Sequence, residues 1–134
     1  MRKTLRSILW VLVALIAVNF LIMGLRWAVA PSGAAETLNM SLFNGAALSS
    51  QIGDVGGLFL GMGLFVLFGM VTKKREWFFA TSVLVYAIAI FRILAWLFHG
   101  ASLVMPLIVP EIVIGTLLLM AAKNLTADQS QKPK

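Results

Sequence analysis

The sequence of 134 residues contains no cysteine and only one histidine, His99. Without cysteine, these residues supply no thiol–disulfide chemistry, no thiolate metal site and no iron–sulfur cluster. A single histidine also excludes a bis-histidine haem or a multi-histidine metal centre built within one chain. A carboxylate site for a hard cation is disfavoured, because the two acids in the apolar segments are matched by two arginines. We therefore expect no metal and no cofactor.

Charged residues are scarce as well. Asp, Glu, Lys and Arg make up 12% of the chain, whereas a soluble domain carries about a quarter. With 60% hydrophobic residues, this composition predicts a membrane protein with a single domain. The net charge of +6 would suggest nucleic-acid binding in a soluble protein. Here the basic residues flank apolar runs, where the membrane surface accounts for them, so no nucleic-acid partner is expected.

Four apolar runs each approach the roughly 20 residues that cross the hydrocarbon core of a bilayer. They predict an all-α fold, a membrane-embedded four-helix bundle with helices over about residues 8–29, 52–71, 77–97 and 103–122. Residues 1–122 are then predicted to form a single transmembrane domain.

The segments outside the spans have simple expectations. Residues 30–51 are predicted to be an outer loop, whose apolar residues allow a short interfacial helix. Residues 123–134 are predicted to be a disordered polar tail. Residues 2–6, with three basic side chains, resemble the basic region of a cleavable secretory signal, and the Ala-Val-Ala sequence at 28–30 resembles its cleavage site. Because the apolar run is long and Arg26 interrupts its end, we favour a retained helix.

The distribution of Lys and Arg predicts the orientation of the chain. Outside the spans, every Lys and Arg lies before the first span, between the second and third spans, or after the fourth span, and these three segments are on the same side of the membrane. They are Arg2, Lys3, Arg6, Lys73, Lys74, Arg75, Lys123, Lys132 and Lys134. The other connections, residues 30–51 and 98–102, contain none. The positive-inside rule then predicts a multi-pass protein of the cell inner (cytoplasmic) membrane with both termini in the cytoplasm. Trp77 on the inner side, and Trp27 and Trp96 near the outer ends, are expected in interfacial belts.

Each predicted span carries one charged residue: Arg26, Asp54, Arg92 and Glu111. The predicted topology puts all four in the outer half of the membrane. An ionised side chain at such depth costs about 3 kcal/mol on insertion scales, so it is kept paired, hydrated or in use. We predict that the four charges converge on an outer-facing polar pocket that binds a ligand, with no catalytic residue assigned.

A structural and a functional interpretation of these charges both remain open. Arg26 and Asp54 lie near helix ends, where side chains snorkel to the head groups, and each charge has the sign that its helix end prefers. Arg92 and Glu111 lie deeper, which favours a functional pocket for this pair. Helical spacing adds three neighbours of the cluster, which are Asn19, Trp96 and His99.

Glycines repeat at a spacing of four in the second span, at Gly53, Gly57 and Gly61. Small residues at this spacing let helix backbones approach closely, so we predict that these glycines pack against another helix. The alternative is that they leave space for a ligand beneath Asp54.

A family resemblance rests on residues 54–63, DVGGLFLGMG, together with Arg26, Pro31, Arg92, Gly100 and Glu111. These features resemble a family of small bacterial four-helix membrane proteins described as a domain of unknown function, over about residues 5–123. At fold level the chain is also similar to the DoxX-like four-helix proteins. Family members often carry Arg shortly before the Asp-x-Gly-Gly segment, where this chain has Gln51. The resemblance implies the fold and the residues of interest, and no function.

Three functional hypotheses follow. The first is a non-enzymatic protein that binds a small amphiphile, such as a lipid or a quinone, in the outer-facing pocket as an accessory to transport or the envelope. The second is a structural or assembly subunit that forms homo-oligomers through the glycine-rich second helix. The third is an isomerase-type enzyme in which Glu111 or Asp54 transfers protons. A non-enzymatic role is favoured, because no nucleophile–base pair or cofactor motif accompanies the acids. The lipid bilayer is a partner in every case.

Overall fold

The chain forms five helices in the computed structural model, which describes residues 2–126. They are α1 (Arg2–Val29), α2 (Pro31–Thr37), α3 (Gly45–Thr72), α4 (Arg75–His99) and α5 (Met105–Asn124). Over the described residues there is no strand, so the predicted all-α class is confirmed.

All of these helices except α2 are long and apolar enough to cross a membrane. Only 22–33% of their most apolar windows is buried inside the protein, so most of their surface is left for lipid. Large apolar side chains such as Val71 and Phe91 are accordingly more than two-thirds exposed, at 73% and 71%. The protein is a multi-pass membrane protein. The packing of its four long helices as one bundle stays a prediction.

The helix ends are set by single residues as well as by the apolar runs. Helix α4 ends at His99 because Gly100 takes a left-handed conformation, with φ of 65°, that glycine adopts without strain. Lys73, with φ of 56°, lies in the tight turn between α3 and α4. Helix α5 carries Pro106 in its first turn, where no intrahelical N–H is needed. Of the tail predicted to be disordered, residues 127–134 lie outside the described part of the chain.

The segment predicted as an outer loop, residues 30–51, is largely helical. Pro31 starts α2, and Gly45 starts α3 before the apolar run at residue 52. Small residues such as Ala46 and Ala47 continue the helix beyond the apolar run, which is why the apolar pattern missed its beginning.

The chain divides into two compact units, which are described separately. Of the described residues, the α4–α5 unit contains 2–14 and 65–126. The α2 unit contains Leu15–Leu64.

In the α4–α5 unit, small and polar residues join the two helices. The hydroxyl of Ser82 donates to the carbonyl oxygen of Gly115 at 2.9 Å and is buried. The hydroxyl groups of Tyr86 and Thr116 are 2.8 Å apart. An added Cβ at Gly115 would lie 2.9 Å from the ring of Tyr86, so glycine permits this approach. Close packing and interhelical hydrogen bonds are the main sources of helix association in lipid.

The α2 unit has a small apolar core around Trp27, which is 0% exposed. Ala34 and Ala35 of α2 cover this ring, because the chain turns back over α1 at Pro31. Further apolar side chains complete the core, namely Met23, Leu38, Met40, Ile52, Val55 and Phe59. The prediction that Trp27 lies in an interfacial belt is therefore wrong, whereas Trp96 is 45% exposed.

Candidate functional site

Arg92 and Glu111 form an ion pair between α4 and α5. The Nε atom of Arg92 donates to Oε1 of Glu111 at 2.8 Å. The side chains are 29% and 17% exposed, so the pair is partly covered by the protein. It continues the face of α4 that buries Ser82 and Ala89, since the spacing between these residues and Arg92 follows the helical repeat.

The second carboxylate oxygen of Glu111, Oε2, is buried and has no hydrogen-bond partner in the protein. A buried polar atom without a partner costs about 1–3 kcal/mol, and more when it is charged. The hydrogen bond to Oε1 uses Nε of Arg92, so the pair lacks the two-pronged geometry of the strongest Arg–carboxylate contacts. The two terminal amino groups of the guanidinium therefore remain outside the pair. The pair therefore has one acceptor without a hydrogen bond, Oε2 of Glu111, and two donor groups that do not bond to Glu111, the terminal amino groups of Arg92.

The backbone next to Glu111 adds another acceptor. Pro110 lies inside α5 directly before Glu111. Because proline has no N–H, the carbonyl group four residues earlier, that of Pro106, loses its helical donor. In membrane helices such freed groups are tolerated where other polar groups satisfy them.

The predicted neighbours of Arg92 lie toward the end of α4. The helix is regular from Arg75 to His99, so Arg92, Trp96 and His99 share one face as predicted by their spacing. Trp96 is 45% exposed, and His99 is also exposed. Trp96 and His99 thus lie on the protein surface, between the ion pair and the C-terminal end of α4.

Arg26 has a structural contact in the α2 unit. Its Nη2 atom donates to the carbonyl oxygen of Gly33 at 2.9 Å, which ties the beginning of α2 to the end of α1. An added Cβ at Gly33 would lie 3.1 Å from the same Nη2 atom. The predicted neighbour, Asn19, is exposed on α1. For Arg26, this contact favours the structural interpretation of its charge.

Asp54 is exposed and lies in a π-helical stretch of α3, Gln51–Gly56. A π-helical turn contains an extra residue and is frequent at functional sites. The same stretch begins with a buried glutamine that sequence reasoning missed as a site residue. The amide of Gln51 accepts a hydrogen bond from the N–H of Phe43 at 3.1 Å and donates one to the carbonyl oxygen of Ser41 at 3.0 Å. The segment before α3 is thereby fixed to the π-helical stretch.

Within residues 2–126, Gly53, Gly57 and Gly61 lie on an open face of α3, and their packing against another helix stays a prediction. An added Cβ at any of the three would meet nothing within 4 Å. The close approaches in the α2 unit occur instead at Gly24, Gly56 and Gly63, whose added Cβ atoms would lie 2.6–2.8 Å from α1 or α3 atoms. Gly57 and Gly61 lie in the regular α-helical part of α3, so they share a face as their spacing predicts, and this face is open within the described residues.

Two cavities lie in the α4–α5 unit at the end that carries the basic residues. One, of about 690 Å³, lies between α1 and α5, and the other, of about 400 Å³, lies between α4 and α5. Phe79, which lines the second, is about 20 Å from Arg92 along α4 at 1.5 Å per residue. These cavities are thus distinct from the ion pair.

The structure joins two of the four predicted charges, Arg92 and Glu111, in one unit. Arg26 and Asp54 belong to the other unit, where Arg26 contacts a backbone carbonyl group. The convergence of all four charges on one pocket stays a prediction. Comparison with family models, curated proteins and solved structures finds no match to this chain. Its function is therefore inferred from the geometry of the site.

Proposed function

We propose that the protein binds a small amphiphile, such as a lipid, with its polar head at the Arg92–Glu111 pair. The observation that carries this proposal is the buried Oε2 atom of Glu111, which has no partner in the protein. A bound head group would supply the missing hydrogen bond and remove an energetic cost that the free protein bears.

The unused groups of the pair define the chemistry of the head. An ionised Glu111 only accepts hydrogen bonds, so Oε2 requires a hydroxyl or N–H donor. The terminal amino groups of Arg92 only donate, so the head group that suits them carries an oxygen acceptor, such as a phosphate, carboxylate or carbonyl group. Because the ion pair has no net charge, the head need not be charged. We infer a head group that carries a donor and an acceptor close together.

Exposed apolar residues next to the pair offer contacts for the tail of the ligand. Ile90 and Phe91 precede Arg92 on α4, and Ile112 follows Glu111 on α5, all at least 45% exposed. A ligand could thus enter from the lipid and keep its tail in the lipid phase. Because Oε2 of Glu111 is enclosed in the free protein, the head group reaches it only when the side chains that cover it move apart on the lipid side.

We further propose that the protein lies in an inner membrane with both termini in the cytoplasm. Arg75 begins α4, and Arg92 lies about 25 Å further along the helix axis at 1.5 Å per residue. If the positively charged end faces the cytoplasm, the ion pair lies in the outer half of the membrane. The binding site would then draw its ligand from the outer leaflet.

Mass spectrometry of the molecules that copurify with the protein tests this function. We expect the wild type to retain an amphiphile that Glu111→Gln and Arg92→Ala lose. Tyr86→Phe is the matched control, because it removes a polar contact between the same helices and leaves the ion pair intact. An unchanged set of copurifying molecules in both site variants would refute the proposal.

A structural or assembly role is the second candidate, and the open faces of Gly53, Gly57 and Gly61 favour it. Glycines that contact nothing in their own chain permit the close approach of another copy. Crosslinking in membranes should then detect oligomers that Gly57→Leu abolishes. A purely monomeric wild type would exclude this role and leave amphiphile binding untouched.

A further inference from the structure

The end of the α4–α5 unit that carries the basic residues has two grooves, one on each side of α5. The Arg6 groove is lined by residues of α1 and α5, and the Arg75 groove by residues of α4 and α5. We propose that the Arg75 groove is a binding site for an anionic phospholipid of the membrane leaflet at this end, of the phosphatidylglycerol type.

The lining of the Arg75 groove separates polar from apolar groups in the way that a phospholipid requires. Its polar residues are Arg75 and Glu76 at the beginning of α4 and Lys123 near the end of α5. Its apolar residues, Phe79 and Leu119, lie about one turn further into the membrane on the same two helices. The phosphate group would lie between the two cations, with an acyl chain along the apolar residues.

The charges of this groove favour an anionic lipid over a zwitterionic one. Arg75 and Lys123 together with Glu76 give a net charge of about +1, which a phosphodiester with a neutral glycerol head would neutralise. Glu76 accepts hydrogen bonds, so it can receive the hydroxyl groups of that glycerol. Basic pockets between transmembrane helices are a recurrent site for the head groups of anionic lipids.

The Arg6 groove has the same separation of polar and apolar groups. Arg6 and Asn124 lie at its outer edge, and Leu12, Leu117 and Met120 lie deeper along α1 and α5. Its volume, about 690 Å³, exceeds the 400 Å³ of the Arg75 groove. With one cation in place of two, this groove should hold an anionic head more weakly.

Native mass spectrometry of the full chain in detergent, with defined lipids added, tests the proposal. We expect phosphatidylglycerol to remain bound at lower concentration than phosphatidylethanolamine or phosphatidylcholine. Arg75→Gln and Lys123→Gln should each weaken phosphatidylglycerol binding about fivefold, the effect of one basic residue at an anionic surface.

Lys74→Gln is the matched control, because it removes the same charge from a neighbouring exposed position that lines neither groove. It should leave binding nearly unchanged. An equal loss in Lys74→Gln and Arg75→Gln, or equal retention of all three lipids by the wild type, would overturn the proposal. Leu119→Trp, which narrows the groove without altering charge, should also weaken binding, and full retention in that variant would count equally against it. If these results are not obtained, the proposal for the Arg92–Glu111 site still stands, because the two sites lie at different ends of α4.

Discussion

The hydroxyl of Ser82 donates a hydrogen bond to the backbone carbonyl oxygen of Gly115 at 2.9 Å, inside the α4–α5 contact. Glu111 lies one helical turn before Gly115, and Arg92 lies on the face of α4 that contains Ser82. The ion pair therefore continues the packed contact between α4 and α5 toward the C-terminal end of α4. A rigid contact of this kind holds the carboxylate and the guanidinium in place with one oxygen atom unused.

Removal of this hydrogen bond should destabilise the protein modestly. For Ser82→Ala we expect a loss of about 0.6–1.7 kcal/mol in the free energy of unfolding, the range for polar contacts between membrane helices. Reversible unfolding in mixed micelles with a denaturing detergent measures it. Ser7→Ala, which removes an exposed hydroxyl from α1, should have almost no effect. Equal stability of both variants would contradict the packing described for Ser82.

Glycine positions should differ sharply in their tolerance of a methyl group. Gly115→Ala places a Cβ 2.9 Å from the ring of Tyr86, and overpacking typically costs about 1–3 kcal/mol. Gly61→Ala places a Cβ where nothing lies within 4 Å, and the better helix propensity of alanine should make it neutral or stabilising. The same unfolding assay compares them. The reverse order of stability would show that these helices pack through other faces.

The contact between Arg26 and Gly33 should control access to the core of the α2 unit. Because the chain has no cysteine, single-cysteine variants can be labelled selectively. Ala35→Cys, at a buried position, should react slowly with a thiol reagent. It should react about tenfold faster when Arg26→Gln is added, since a hydrogen bond to a charged group contributes at least about 1.5 kcal/mol.

Glu36→Cys, at the exposed neighbouring position, is the control for this labelling. It should react rapidly with or without Arg26→Gln. Fast labelling of Ala35→Cys in the otherwise unchanged protein would contradict the position of α2 over Trp27.

The sequence predicted the helical elements well and their contacts poorly. Apolar runs identified all four long helices, because the length and composition of a membrane span are local properties. The close contacts at Gly56 and Gly63 depend on which face of α3 meets α1, and the spacing of the glycines alone does not reveal that face. The burial of Trp27 likewise depends on α2, whose small residues carry no apolar signal.

At the candidate site, too, the sequence identified the residues but did not predict their contacts. The sequence identified Arg92 and Glu111 as deep charges of opposite sign, and their hydrogen bond required the positions of two helices. For Arg26 the sequence offered pairing or snorkelling, whereas the structure gives it a backbone partner. The hydrogen bonds of Gln51 had no signal beyond its position before the Asp-x-Gly-Gly segment.

The orientation of the chain can be tested with cysteines at two connections. Lys74→Cys lies in the turn between α3 and α4, and Ser102→Cys lies between α4 and α5. When the variants are expressed in bacterial cells whose outer membrane is permeabilised and whose inner membrane is intact, a membrane-impermeant maleimide should label Ser102→Cys and spare Lys74→Cys. The opposite pattern would invert the topology and place the ion pair in the inner half.

Replacing both members of the ion pair should abolish amphiphile binding while leaving most of the protein's stability. Arg92→Met or Glu111→Leu alone should destabilise the protein by less than the roughly 3–5 kcal/mol typical of a fully buried pair, because the charge left without a partner is only partly buried. The double variant should regain most of this stability, since apolar substitutes for a buried ion pair are often tolerated. We expect it to fold and yet to lose the copurifying amphiphile. Retention of the amphiphile by a folded double variant would show that the pair serves packing alone.

The most direct measurement is solid-state NMR of the protein in its native lipids, with the glutamate carboxyl carbons labelled. The chain has three glutamates, Glu36, Glu76 and Glu111, so the variant Glu111→Gln identifies the signal of interest. We predict a through-space contact between the Glu111 carboxyl carbon and non-exchangeable protons of a bound head group. If that carbon instead contacts only water and Arg92, Oε2 has no amphiphile partner, and the proposed function is contradicted.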